Sequence, residues 1–238
     1  MAKMTSLSLA ALAIGLVAAA PASAQVVGIA SADPTAVIGQ AKAFAAAWDQ
    51  ISTTYKSQID QINARQTALS TQLKPLIPAI DSNKDGRVTQ DEFDAAVAAK
   101  LPAAATWTTA QQAADRDIAS LSAPIERARA YAVEMIITAY PAARNKVVAD
   151  KKISVILNPD SFVYAPDTAD VTAAIAAEID KTTPTVSIAA PVTWQPQQET
   201  LQVLQTLERI ISYRAAQARA AGGAGSAGGA PKPGDSGR

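Results

Sequence analysis

Apolar side chains recur every seven residues at Ala41, Trp48, Tyr55, Ile62, Leu69 and Leu76, with Phe44 and Ile51 on the adjoining seam. A second run repeats the spacing at Trp107, Ala114, Leu121, Ala128 and Met135, and Ile118, Ile125, Ala132 and Ala139 form its companion row. Sevenfold spacing keeps one stripe of a helix facing a partner along its whole length. The first run covers roughly 40 residues and would extend about 60 Å at 1.5 Å per residue, long for a helix lying on a globular core. Coiled coil is the better reading. Pro124 interrupts the second run and predicts a restarted turn or a kink there. The two runs flank an insert at 75–104, bracketed by Pro75, Pro78 and Pro102. The pattern predicts an antiparallel helical hairpin arm over 34–149 with the insert at its tip. The many Ala positions would let the helices approach closely.

Outside the arm the period shortens. Val26–Ala30 is β-type and predicts a strand within 25–33. Lys152–Leu157 and Ser161–Tyr164 are two further β runs around a turn at Asn158–Asp160, hence a β-hairpin. Asp167 or Asp170 could cap a helix from Val171 to Lys181 whose apolar face is Val171, Ile175 and Ile179. These pieces form a small body at 150–182. Residues 183–220 read as a Pro-rich linker and an amphipathic helix with Leu201, Leu204, Leu207 and Ile211 inward. The tail 221–238 holds seven of the chain's 11 glycines and is expected to be disordered. The fold class is α+β, mainly α: a long antiparallel coiled-coil hairpin on a small β body, with an EF-hand-like loop at the tip.

Composition narrows the chemistry. The 238 residues include no Cys and no His, which removes Ser-His-Asp and Cys nucleophiles, disulfides and His- or Cys-held zinc or haem. Twenty-one basic residues balance 21 acidic ones, with no basic block, so no nucleic-acid partner is expected. Hydrophobic residues reach 49% but aromatics only 5%, and the Ala-rich remainder buries little area per residue. One large core is not expected. Residues 1–24 read as a secretory signal peptide: Lys3, the apolar run Leu7–Ala20, then Ala22-Ser23-Ala24 before Gln25. The run falls short of the roughly 20 residues needed to span a bilayer. A periplasmic protein, not spanning the membrane, is the expectation.

Gly223-Ala224-Gly225-Ser226-Ala227-Gly228 fits a dinucleotide-binding pattern but lacks the preceding strand and following helix that would aim backbone amides at a pyrophosphate. Glu126 and Glu134 read as solvated carboxylates on heptad faces with nothing to perturb them. No enzyme constellation emerges. One motif survives: Asp81 to Glu92, D-S-N-K-D-G-R-V-T-Q-D-E. An EF-hand loop takes oxygen ligands at positions 1, 3, 5, 7 (main chain), 9 and 12, with Gly at 6 for the sharp turn. Asp81, Asn83 and Asp85, the Arg87 carbonyl, Thr89 and Glu92 fill those places, and Gly86 the sixth. Thr89 and Glu92 also form a capping box for a helix carrying Phe93, Val97 and Leu101. The plainer reading is an Asp/Asn/Gly turn before a capped helix. Ca2+ is the expected ion, with affinity on the order of 10⁻⁵–10⁻³ M for a lone hand. The stretch Asp81–Asp94 carries five acids against Lys84 and Arg87.

A leader, a short strand, a helical pair, and then Ile153-Ser154-Val155-Ile156-Leu157-Asn158, Phe162-Val163-Tyr164, Asp170-Val171-Thr172, Ile175 and Ile179-Asp180-Lys181 resemble the Skp/OmpH family of periplasmic chaperones. The likeness covers about residues 25–182, without the insert. It implies a homotrimer whose strands form a small body and whose three hairpins surround a cavity. There unfolded outer-membrane proteins would be held without ATP. The insert and the helix after Gln195 are additions to the family pattern. The alternative is a calcium-binding envelope module displayed on a coiled coil.

Overall fold

The computed structural model describes residues 28–226. The expected leader at 1–24 lies outside them, as does the tail from residue 227. Strand β1 (Ile29–Ser31) leads into α1 (Pro34–Gln40), α2 (Lys42–Thr54), α3 (Lys56–Leu73) and the single turn α4 (Ile77–Ile80). Helix α5 (Gln90–Ala98) follows a loop, and α6 (Pro102–Lys151) then runs unbroken for 50 residues. Strand β2 (Val155–Leu157), α7 (Thr172–Thr182) and α8 (Gln198–Ser226) complete the order.

The ascending side is jointed where the heptads predict one rod. Ala41 takes an extended conformation, φ −62° and ψ 137°, and ends α1. The first amide of α2, on Lys42, is satisfied from another element by the Asp180 carboxylate at 2.7 Å. That break turns α1 so that Val37 and Ile38 join Val171, just before α7, and Ile175 and Ile179 on it in the core. Tyr55, at φ −104° and ψ 21°, makes the second joint. The descending side departs in the opposite sense: α6 passes through Pro124 and Pro141 without ending. Ile125 and Ala128, buried just beyond Pro124, hold helical geometry past the missing N–H.

Contacts between the two sides run antiparallel. Ala47 and Ile51 pack with Ile125, Ala128 and Ala132. Further out, the Arg65 guanidinium meets Asp117 at 2.8 Å. Furthest, Ile80, Ala96 and Ala104 make a separate small cluster with Trp107 against it. No residue of α3 is buried. The seam there rests on partly covered Ile59 and Ile62 and on Ala side chains of α6, of which Ala110 and Ala114 are buried. The main core lies at the other end, where α1, α2, the end of α6, α7 and α8 enclose Ile136, Ile175, Ile179, Val37 and Val133.

The body sheet is smaller than expected. β1 pairs in parallel with β2, Ile29 opposite Val155 and Ser31 opposite Leu157. Gly28 makes this possible. Its φ is +107°, and a Cβ there would lie 2.8 Å from both the Lys152 carbonyl and the Ser154 amide. The expected second β run at Ser161–Tyr164 is no strand. Asn158 caps a 3-10 turn at Pro159–Ser161, and Val163 and Tyr164 stand fully exposed. The other edge of β1 takes Asp170 instead, through a Ser31–Asp170 bridge and a bond from the Val171 amide to the Ser31 carbonyl at 2.9 Å. Asp170 also receives the Thr172 amide at 2.8 Å at the start of α7. Of the α8 residues expected inward, Leu204 and Leu207 are buried, whereas Leu201 and Ile211 are 48% and 41% exposed. Leu207 reaches α1 at Gly39, where a Cβ would lie 2.9 Å from its Cδ2. Helix α8 also enters the segment expected to be disordered, running to Ser226.

Candidate functional site

The loop between α4 and α5 gathers the acidic and amide side chains singled out in the sequence. Pro75 lies in a 3-10 turn and Pro78 in the first turn of α4. The backbone stays right-handed helical from α3 through a 3-10 turn at Lys74–Leu76 into α4. Asp81 follows, 7% exposed. Its Oδ2 accepts the Gly86 amide at 2.7 Å, and Gly86 holds φ +83°, a region glycine enters without strain. Asn83 Oδ1 accepts the Asp85 amide and Asp85 Oδ1 the Arg87 amide, each at 2.8 Å. The loop is therefore wound on its own carboxylate and amide oxygens.

Glu92 closes the far side. Its Oε1 takes the Ser82 amide at 3.0 Å, the Ser82 hydroxyl at 2.9 Å and the Asn83 amide at 3.2 Å. Its Oε2 takes the Thr89 amide and hydroxyl at 3.0 and 2.9 Å. With the Thr89 hydroxyl cap this is the expected capping box. The Thr89 and Asn83 amides, then the Thr89 and Ser82 hydroxyls, pull the Glu92 carboxyl down to about 2. Ser82 was not among the expected site residues, since position 2 of the loop motif carries no ligand.

One oxygen is left over. Asp81 Oδ1 is shielded from solvent and receives no hydrogen bond. A buried carboxylate oxygen without a donor costs free energy that a cation would recover. Among the described residues, however, no three His, Cys, Asp or Glu side chains converge at metal-holding distance. Glu92 is turned into the capping box. Beside the loop, Val88, Phe93 and Trp107 line a cleft of about 280 Å³. The Phe93 and Trp107 rings lie 5.9 Å apart.

A second polar centre lies nearer the body, and it corrects the reading of Glu134 as a solvated carboxylate. Glu134 is buried at 9% exposure. It accepts the Trp194 indole N–H at 2.9 Å, the Gln197 amide at 3.1 Å and the Thr200 hydroxyl at 2.9 Å. Burial pushes its carboxyl up, but these three bonds outweigh it and hold the group below the ordinary carboxylate range. Heptad position alone placed Glu134 correctly on α6. What covers it arrives from sixty residues further along the chain, and no local signal announces that.

Among the described residues, no helix is long and apolar enough to cross a membrane. No curated protein matches the chain significantly. Among solved structures, an OmpH-like protein from Caulobacter crescentus CB15 aligns with 22% identity over 72% of this chain and 90% of its own, with a TM-score of 0.40. The family described as outer membrane protein (OmpH-like) matches residues 28–179, a span that includes both strands, the tip loop and α7 almost to its end. By that match, the chain belongs to the OmpH-like family.

Proposed function

We propose that this chain is an ATP-independent periplasmic holdase for unfolded outer-membrane proteins, working as a homotrimer with a calcium site at the end of each arm. Family membership supports a chaperone role in the periplasm rather than an enzymatic one. The observation that carries the reading is the thinness of the α3–α6 pair. A helical pair without one buried residue on its ascending side contributes little to holding this chain together. It is suited to offering many weak contacts to something else, and several such arms give avidity without a fixed pocket.

The sheet supports a trimeric body. Two three-residue strands are too few to be stable alone. Ile29, Val155 and Leu157 on them are 41%, 45% and 38% exposed, as befits strands that pair or pack with copies of themselves. The test of the holdase is direct: stoichiometric protein keeps an unfolded outer-membrane β-barrel soluble on dilution from urea. Aggregation at the rate of the β-barrel alone would sink it. Light scattering of the native protein should give three chain masses, and a monomer would remove the trimer.

The calcium site rests on the orphaned Asp81 Oδ1 beside Asn83, Asp85, the Arg87 carbonyl and Thr89. Glu92 would become the twelfth-position ligand only by releasing the Ser82 and Asn83 amides. Binding therefore carries a local rearrangement of the start of α5. The same oxygen favours the second reading, a calcium-binding envelope module in which the helices only display the loop. Calorimetry of the wild type against an Asp81→Ala, Glu92→Ala variant decides whether the site exists. Calcium heat without any protection of the β-barrel would favour the module.

A further inference from the structure

Residues 183–197 cross from α7 to α8 beyond the family match, and they do so as an extended strap laid along the arm. Burial alternates along it: Val186, Ile188 and Ala190 face the helices, while Ser187, Ala189 and Pro191 face out. Ile188, 6% exposed, sits in the seam among Ala47, Ile51, Ile125, Ala128 and Ala132. Among the described residues, the strap between Pro184 and Pro196 makes one backbone–backbone bond, from the Trp194 amide to the Pro191 carbonyl. Arg127 of α6 reaches over instead and donates to the carbonyls of Pro191 and Val192. Its guanidinium also lies 5.5 Å from the centre of the Trp194 ring. Glu134 then fastens Trp194, Gln197 and Thr200 at the strap's end.

Such a contact set reads an extended chain by its alternation and its main chain, not by its sequence. Val186 and Ile188, two residues apart, enter a seam lined by Ala and Ile, and an arginine takes carbonyls that any polypeptide carries. An unfolded outer-membrane protein is rich in segments of that kind, since the strands of a membrane β-barrel alternate apolar and polar residues. From these contacts we infer that the α2–α6 seam is a binding groove for extended, alternately apolar polypeptide, and that the strap is its built-in occupant, displaced when a client segment arrives. The inference rests on the holdase reading and adds to it where a client docks and what it displaces. The strap's main chain, bonded mostly to the arm, gives up little structure of its own on leaving. Helix α8 stays anchored by Leu204 and Leu207 and keeps the strap tethered nearby.

The experiment uses the full chain and a fluorescent peptide with this chain's own sequence from Pro184 to Gln197. Ile188→Asp in the full chain expels the strap from the seam without altering the groove. It should bind the peptide at least tenfold more tightly than wild type by fluorescence anisotropy. A peptide carrying the same Ile188→Asp change should bind neither. Glu134→Gln, which keeps the shape of α6 but weakens the strap's fastening, should show a smaller gain in the same direction and guards against misfolding of the first variant. Equally weak binding by wild type and both variants, with helical circular dichroism retained, overturns the inference. Wild-type holdase activity toward an unfolded β-barrel is measured alongside. If the opened variants take up the peptide while wild type protects no β-barrel, the groove stands and the holdase reading falls. If wild type protects the β-barrel and no variant takes the peptide, the holdase stands and the groove falls.

Discussion

The Glu134 carboxylate and the Trp194 indole meet at 2.9 Å across sixty residues of chain, tying the segment after α7 to the middle of the longest helix. Because the folded state holds Glu134 below the ordinary carboxylate range, its contribution to stability is present above the unfolded value, about 4.3, and is lost as pH falls through the lower folded value. Acidification should therefore shift the Trp194 emission toward that of a solvent-exposed indole before the helices melt. Glu134→Ala leaves three donors without their acceptor and should cost about 2 kcal/mol in urea unfolding. An unchanged midpoint would mean that the strap is not held there.

Calcium should be visible from Trp107. Any ion that draws Glu92 off the Ser82 and Asn83 amides moves the start of α5, and Phe93 on that helix packs against Trp107. In a Trp48→Phe, Trp194→Phe background, millimolar calcium should change Trp107 fluorescence, and Asp81→Ala should abolish the change. A flat titration in the unmutated loop counts against the site.

Gly28→Ala tests the join between the strands. The new Cβ would lie 2.8 Å from main-chain atoms of Lys152 and Ser154 at a φ of +107°, and neither backbone neighbour can turn aside as a side chain could. A loss of about 1–3 kcal/mol is expected. A variant as stable as wild type would show that β1 and β2 contribute little to the fold.

Pro124→Ala should act in the opposite direction. It restores an amide donor inside a helix that already runs straight through the position, and should stabilise the protein by about 1–3 kcal/mol. Thermal unfolding gives the answer, and a lower melting temperature would mean that the proline shapes α6 in a way its neighbours need.

The sequence is most legible where the signal is local and periodic. The apolar faces of both long runs, Val171 with Ile175 and Ile179 at and along α7, and the Thr89–Glu92 capping box all follow from local spacing. It is silent where a distant group decides the outcome. The break at Ala41 depends on Asp180 supplying the Lys42 amide, and periodicity along one helix contains nothing of α7. Ser161–Tyr164 has strand composition, but Asp170 takes the edge of β1 that such a strand could have used. Pro124 reads as a breaker because its missing donor is a local fact, whereas the packing that carries α6 past it is not. The loop residues Asp81, Asn83, Asp85, Thr89 and Glu92 were identifiable from spacing. The conformation that turns Glu92 onto Ser82 and Asn83 was not.

The contrast between the two sides of the arm has a mechanical consequence. One side is a continuous rail of 50 residues, about 75 Å at 1.5 Å per residue. The other is articulated at Ala41 and Tyr55. Two parallel members of unequal stiffness do not bend equally in all directions. The easier curvature places the articulated side on the outside, where its joints can open while the helices between them stay intact. That motion swings the far end toward the α6 side. A set of such arms around a common base would therefore share a preferred direction of flexing, written into the chain by two interruptions in one helix run and none in its partner.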